Sequence, residues 1–364
     1  MMNTCPLCKK KEANQTGSHI FTHALIKTAI NDAGNLKRDK EIMYTLSSLN
    51  LESHFIGRSI TDDRINEVLG KSMTEEDIEK NINTLVIDNL VCDVCEKRFT
   101  TAENYFITNI YQKLPSNDFR ISNDSNKNEV ISFSETEINI DLIRLFFYIQ
   151  IWRASASNHE KFRLKHKLEK KMAKIIDENL DLNYDTTIAN CKKNSTEIRS
   201  FPVLITFVKT EINSKTKKEH TQNIVFVSSS KMPYYFVIND ISIQFYEKES
   251  HVRSSIDYIY GVKKIIPINE HINFNETDFK IGVLSDSNRK TLLESYNMAL
   301  ANAFIHRLRS FFSYVHKLIL GVKPSNYFVD NAVQKVIKSD DYSPDNVIKI
   351  YAETIKDIHT KMRY

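Results

Sequence analysis

The chain has 364 residues, 41% hydrophobic and 26% charged, with a formal net charge of +4, so two or three folded domains in water are expected and a nucleic-acid partner is neither demanded nor excluded. Its longest apolar run, near Leu142 to Trp152, is too short to span a bilayer and is interrupted by Arg144. The start, Met1-Met2-Asn3-Thr4-Cys5, lacks the apolar core of a secretory signal, so the expected location is the cytoplasm, with no membrane partner.

Residues 1–113 read as one module, bracketed by two Cys-x-x-Cys pairs, Cys5/Cys8 and Cys92/Cys95. Four thiolates in two short pairs are the usual ligand set of a tetrahedral structural zinc, and in a reducing compartment metal is favoured over disulfides. The 83 residues between Cys8 and Cys92 must then fold back to bring the pairs together. Within them, the pattern from Ile20 to Ile30 predicts a short helix, and Met73 to Leu85 a second with Thr74 as its N-cap. After Cys95, the apolar residues Phe99, Ala102, Phe106, Ile110 and Tyr111 predict a helix from Glu96 to Tyr111 with one buried face.

Residues 114–136, rich in Asn, Ser and Asp, read as a polar linker or long loop. Residues 137–364 read as an α+β domain. Ile138 to Ala156 predicts a buried helix, and a second helical stretch follows to about Leu180. That stretch carries Lys161, Arg163, Lys165, Lys167, Lys170, Lys171 and Lys174, a basic run that could release counterions from a phosphate backbone or simply form a solvated face. Strands are expected at Phe201–Lys209, Asn223–Ser229, Tyr234–Ile238 and Ile241–Tyr246, with a turn at Asn239-Asp240. A long amphipathic helix is expected from Thr291 to Leu320 and a last one from Asp345 to Met362. Cys191 reads as a structural or incidental thiol.

Cys5-Pro6-Leu7-Cys8, Ser18-His19-Ile20, Asn89-Leu90 and Cys92-Asp93-Val94-Cys95-Glu96 together resemble the zinc-bracketed HNH-like, or treble-clef, bacterial endonuclease family. Phe146 to Ser155, which includes the single Trp, also resembles that group, and the resemblance covers roughly the first 160 residues. It implies a treble-clef module with zinc on Cys5, Cys8, Cys92 and Cys95. It implies His19 as the general base that activates water and Asn89 as the residue orienting it, beside a catalytic Mg²⁺ or Mn²⁺. The carboxylate of Glu96 could bind that ion, with Glu103 two helical turns later as a second carboxylate on the same face, or both could be ordinary helix residues. This chain departs from the family in carrying Ser18 before the base and Glu96 in place of a last His or Asn.

The fold expected is therefore α+β: an N-terminal zinc-bound module, a helical connector, and a C-terminal antiparallel sheet with long packing helices. The function implied is metal-dependent hydrolysis of DNA, or less readily RNA, in an anti-phage defence effector that works with a protein partner. The alternative is a non-catalytic, zinc-stabilised adaptor for nucleic acid or protein. The module meant to grip phosphates holds 14 Lys plus Arg against 16 Asp plus Glu, which favours the adaptor.

Overall fold

The computed structural model describes residues 4–30, 42–45, 53–56, 85–114, 129–159, 162–208, 225–228, 233–255, 272–284, 304–339 and 343–361, with positions 61, 63, 66 and 74. The helix expected over Met73–Leu85, apart from Thr74 and Leu85, lies outside the described residues, as do Lys161 and positions 291–303 of the expected long helix. The chain forms two compact units, Met1–Thr291 and Leu292–Tyr364.

The first unit begins with β1 (Ser18–His19), α1 (His23–Ile30), β2 (Ile42–Thr45), β3 (Ser53–Ile56) and β4 (Val86–Ile87). It continues with α2 (Asp93–Asn109) and a 3-10 turn at Tyr111–Lys113. Next come β5 (Glu129–Ser134), α3 (Ile140–Ala156), α4 (His166–Asn179), α5 (Tyr184–Lys193) and α6 (Ser195–Ile198). It closes with β6 (Val203–Val208), β7 (Val225–Val227), β8 (Tyr234–Ile238), β9 (Ile241–Phe245), α7 (Glu249–Ser255), β10 (Ile272–Asn273) and β11 (Asp278–Leu284).

Seven of these strands make one sheet in the order β5-β11-β6-β9-β8-β7, with β10 also on β6. The sheet is mixed and not antiparallel throughout, because β11 runs parallel to β6, with Gly282 opposite Thr206. Its other edge partner is β5, six residues drawn from the segment expected to be a linker, with Phe133 opposite Phe279. The Asn- and Ser-rich residues around Glu129-Val130-Ile131-Ser132-Phe133 hide a short strand whose alternation becomes visible only once β11 supplies a partner.

The helix α3 forms because Asn139 caps it, its side chain accepting from the Leu142 amide at 2.8 Å. Ile140 to Ser155 are all buried, as expected of a helix that is apolar on nearly every side. It lies between α2 and the sheet. Phe106 of α2 stacks on Phe146 at 4.1 Å, and Phe147 faces Phe279 of β11 at 6.0 Å. Each such ring contributes about 1.5–3 kcal/mol by leaving water. One hydrophobic core therefore runs from Cys5 to Val283, joining the cysteine-bearing segment to the sheet. The Asn239-Asp240 turn, with Asn239 at φ 54°, tightens this join. Asn239 donates to the Leu25 carbonyl at 2.6 Å, and Asp240 accepts from the Tyr111 hydroxyl at 3.0 Å.

The second unit is helical in its described residues: α8 (304–320), α9 (Asn326–Ser339) and α10 (Pro344–Lys361). Leu308 and Phe312 of α8 pack on Phe328, Val333 and Val336 of α9 and on Ile350 and Tyr351 of α10.

Candidate metal centre and adjoining histidine site

The Sγ atoms of Cys5, Cys8, Cys92 and Cys95 lie within 4.8 Å of one another, and those of Cys8 and Cys92 are 3.9 Å apart. A tetrahedral ion with metal–sulfur bonds of about 2.3 Å needs sulfurs about 3.8 Å apart, so the four residues fit a metal ion. All four are free thiols.

The first pair sits in a tight turn, and the second spans the start of α2, entered through a turn at Asn89. In the first, the Lys9 amide donates to the Cys5 carbonyl at 3.0 Å and the Cys5 amide to the Lys11 carbonyl at 2.8 Å, with Lys9 at φ 56°. In the second, Asn89 takes φ 58° and its amide donates to the Gln15 carbonyl at 2.6 Å. Cys92 is the N-cap position of α2, and the Asp93 amide at that helix start is satisfied by the Asn14 side chain at 3.2 Å. The 83 residues between the pairs are thus closed off by backbone pairing of residues 15–20 with 85–91.

Crowding four thiols together couples their protons. A hydrogen bond from Cys95 holds the Cys5 thiol down at about 4, and the same contact together with burial pushes the Cys95 thiol up. Several adjacent thiolates in a largely buried site need a cation to coexist, which is the electrostatic reason such a cluster suits a metal. Arg98 supports it from outside. Its guanidinium donates toward the Cys95 sulfur at 3.8 Å, to the Asp177 carboxylate at 2.7 Å and to the Leu180 carbonyl at 2.7 Å. These contacts tie the cysteine cluster to the C-terminal end of α4, satisfying carbonyls that a helix end leaves without partners.

His19 lies on β1, which pairs antiparallel with β4, Ser18 opposite Ile87 and His19 opposite Val86. Gly17 enters the strand at φ 66°, and its amide donates to the Asp88 carboxylate at 2.7 Å. Ser18 is buried, His19 is half-buried, and the His19 ring lies 4.9 Å from that of His23, the first residue of α1.

Glu96 and Glu103 share one face of α2, and that face meets Arg153. Arg153 donates to Glu96 at 2.7 Å and to Glu103 at 2.8 Å, with its own side chain only 2% exposed. Its guanidinium also covers the Phe99 ring at 4.5 Å. Glu103 accepts from the Thr22 hydroxyl at 3.0 Å, and Gln150 brackets Thr22 by accepting from its amide at 2.8 Å and donating to its hydroxyl at 2.9 Å. Among the described residues, Ser18 Oγ and Glu96 Oε2 are buried without a hydrogen-bond partner.

Asn89 is exposed, and its observed contribution is the left-handed turn leading into Cys92. Arg163, Lys165, Lys167, Lys170, Lys171 and Lys174 all lie on the surface in or just before α4. Lys165 pairs with Glu247 at 2.6 Å and thereby holds that carboxyl below its usual range. Lys171 covers the Phe201 ring at 4.6 Å, and Lys174 lies 3.7 Å from Glu178.

Sequence reasoning missed Arg98, Thr22, Asp88 and Gln150 as members of this constellation. The signal within reach was Trp152-Arg153: a charge in an otherwise apolar helix needs a partner. No family model, curated protein or solved structure matches the chain. Among the described residues, no helix is long and apolar enough to cross a membrane.

Proposed function

We propose that the chain is a metal-dependent endonuclease of the HNH-like type, hydrolysing phosphodiester bonds of DNA or RNA, with a structural zinc on Cys5, Cys8, Cys92 and Cys95 in a treble-clef arrangement. The observation that carries this reading is the four-cysteine cluster, with two buried oxygens that lack a hydrogen-bond partner next to it in the chain: Ser18 Oγ, one residue before His19, and Glu96 Oε2, one residue after Cys95. In this reading half-buried His19 is the general base that takes a proton from the attacking water. Glu96 offers its second oxygen to Mg²⁺ or Mn²⁺, hard cations that prefer such ligands, and the ion would stabilise charge on the phosphate. Glu103, already accepting from Arg153 and Thr22, holds Arg153 in place and thereby aims Glu96. Asn89, whose amide ties residues 85–91 to Gln15, is the residue that orients the base. The exposed basic residues in and just before α4 grip the backbone, and the resemblance implies an anti-phage defence setting with a protein partner.

The second reading is a zinc-stabilised adaptor without chemistry. One observation favours it: Arg153 already supplies the positive charge that a catalytic cation would bring to Glu96 and Glu103.

The two readings separate on Glu96→Gln. The nuclease reading expects Mn²⁺ binding beyond the zinc equivalent, seen by calorimetry on the full chain, and loss of both that binding and cleavage in the variant with zinc content unchanged. Wild-type protein that takes up no second ion and cleaves neither DNA nor RNA would leave the adaptor.

A further inference from the structure

The helix α8 carries apolar residues both on the face packed in its own unit and on an adjoining exposed face. Leu308, Phe312 and Val315 turn toward α9 and α10. On the adjoining side Phe311 is 38% exposed, Tyr314 67% and Leu318 70%, and the patch continues through Ile319, Leu320 and Val322. Arg307, Phe311, Tyr314 and Leu318 follow one another at spacings of four, three and four residues, the seam that a second helix fits.

The charge around this seam is one-sided. Between positions 304 and 329 the chain has Arg307, Arg309, Lys317 and Lys323 and no Asp or Glu. Arg309 is turned to Asp330 of α9 at 2.8 Å. Arg307 lies in the seam and Lys317 one helical step from Tyr314, both exposed, so they border its open edge. Gly321, at φ 71° with its amide on the Lys317 carbonyl at 3.0 Å, ends the helix and presents Val322 and Lys323 just beyond.

We propose that this face of α8 is a docking surface for an acidic amphipathic helix of a protein partner, its apolar residues set between Phe311, Tyr314 and Leu318 and its carboxylates against Arg307 and Lys317. Charge decides among occupants. A second copy would bring Arg307 and Lys317 of both chains together, at a cost from like-charge repulsion. Nucleic acid satisfies the cations but leaves Leu318, Ile319 and Val322 facing phosphates. A helix with carboxylates flanking an apolar stripe satisfies both. The inference concerns a different unit from the nuclease site and does not depend on that reading.

The test uses the full chain and two fluorescent synthetic peptides with the same 3-4 leucine stripe, one flanked by glutamates and one by lysines. The glutamate peptide is expected to bind at about 1–10 µM at low salt and about tenfold more weakly near 0.5 M salt, where charges on an exposed rim are screened. The lysine peptide is expected to bind at least about tenfold more weakly than the glutamate peptide. Leu318→Lys with Tyr314→Ser should abolish binding while helical content and melting stay unchanged. The charge reversal Arg307→Glu with Lys317→Glu should exchange the preference between the peptides. Equal binding of both peptides, binding of neither, or an unaltered preference after reversal would overturn the proposal. So would a wild-type dimer lost on Leu318→Lys, or DNA or anionic vesicles bound through the same residues.

Discussion

Replacing Arg153 with Met should destabilise the first unit far more than removing the charges it neutralises along with it. The side chain is 2% exposed and meets carboxylates on Glu96 and Glu103 whose side chains are 22% and 15% exposed. Met keeps much of the packing on Phe99 but leaves two partly buried carboxylates without their counter-charge, a loss of about 3–5 kcal/mol. Adding Glu96→Gln and Glu103→Gln removes those charges, so the triple variant should recover about half of the loss and the effects should be strongly non-additive. Urea unfolding read by tryptophan fluorescence is the assay, because Trp152 is the single Trp in the chain and packs on Phe99 at 6.2 Å. With a slope of about 3 kcal/mol/M, the single variant should lower the midpoint by about 1 M or more. A shift below about 0.2 M, or simple addition across the series, would refute the view that Arg153 anchors α3 to α2 through charge.

Other outcomes follow from the same geometry. Cys92→Ser should release the bound metal and expose the first unit to proteolysis while α8, α9 and α10 keep their helical signal; metal content by mass spectrometry and limited digestion check this. Lys167→Glu with Lys170→Glu should weaken DNA binding about tenfold and reduce its salt slope by about two, whereas an unchanged slope would make α4 a solvated face. The buried Cys191 thiol is pushed up to about 12, chiefly by burial, so it should resist alkylation at pH 8 until the protein unfolds. Because its folded value lies above the ordinary 9.0, its contribution to stability is complete below pH 9 and is lost as the pH rises toward about 12; a flat stability curve across that window in wild type, matching Cys191→Ala, would contradict this.

The cysteine cluster was legible because each pair of ligands is local in sequence: two residues between sulfurs suffice to make a turn, and two such turns suffice to make a tetrahedron. The helix α3 was legible for a similar reason, since an uninterrupted apolar run of that length needs no knowledge of its neighbours. What α3 packs against was not. Glu96 and Glu103, two turns apart, do share a face of α2, but a carboxylate pair looks the same whether it faces a metal or a guanidinium. The guanidinium they meet sits 57 and 50 positions away. The strands β5 and β11 escaped for a related reason. Glu129–Ser134 lies next to a polar tract, and Gly282 interrupts the apolar pattern of β11, so only their mutual pairing reveals them. For Asn89, the place before a cysteine pair was legible, but the left-handed backbone that the turn there demands was not.

The central claim is that His19, held on β1 where it pairs with β4, removes a proton from the water that attacks phosphorus. The most direct measurement is single-turnover cleavage of DNA and RNA by the full chain in Mn²⁺, wild type against His19→Ala, with zinc content and Trp152 fluorescence recorded on the same samples. The account predicts metal-dependent cleavage by wild type and a loss of about 10²–10⁴-fold in the variant, with bound zinc and fluorescence unchanged. Cleavage that persists at the wild-type rate in His19→Ala would contradict it.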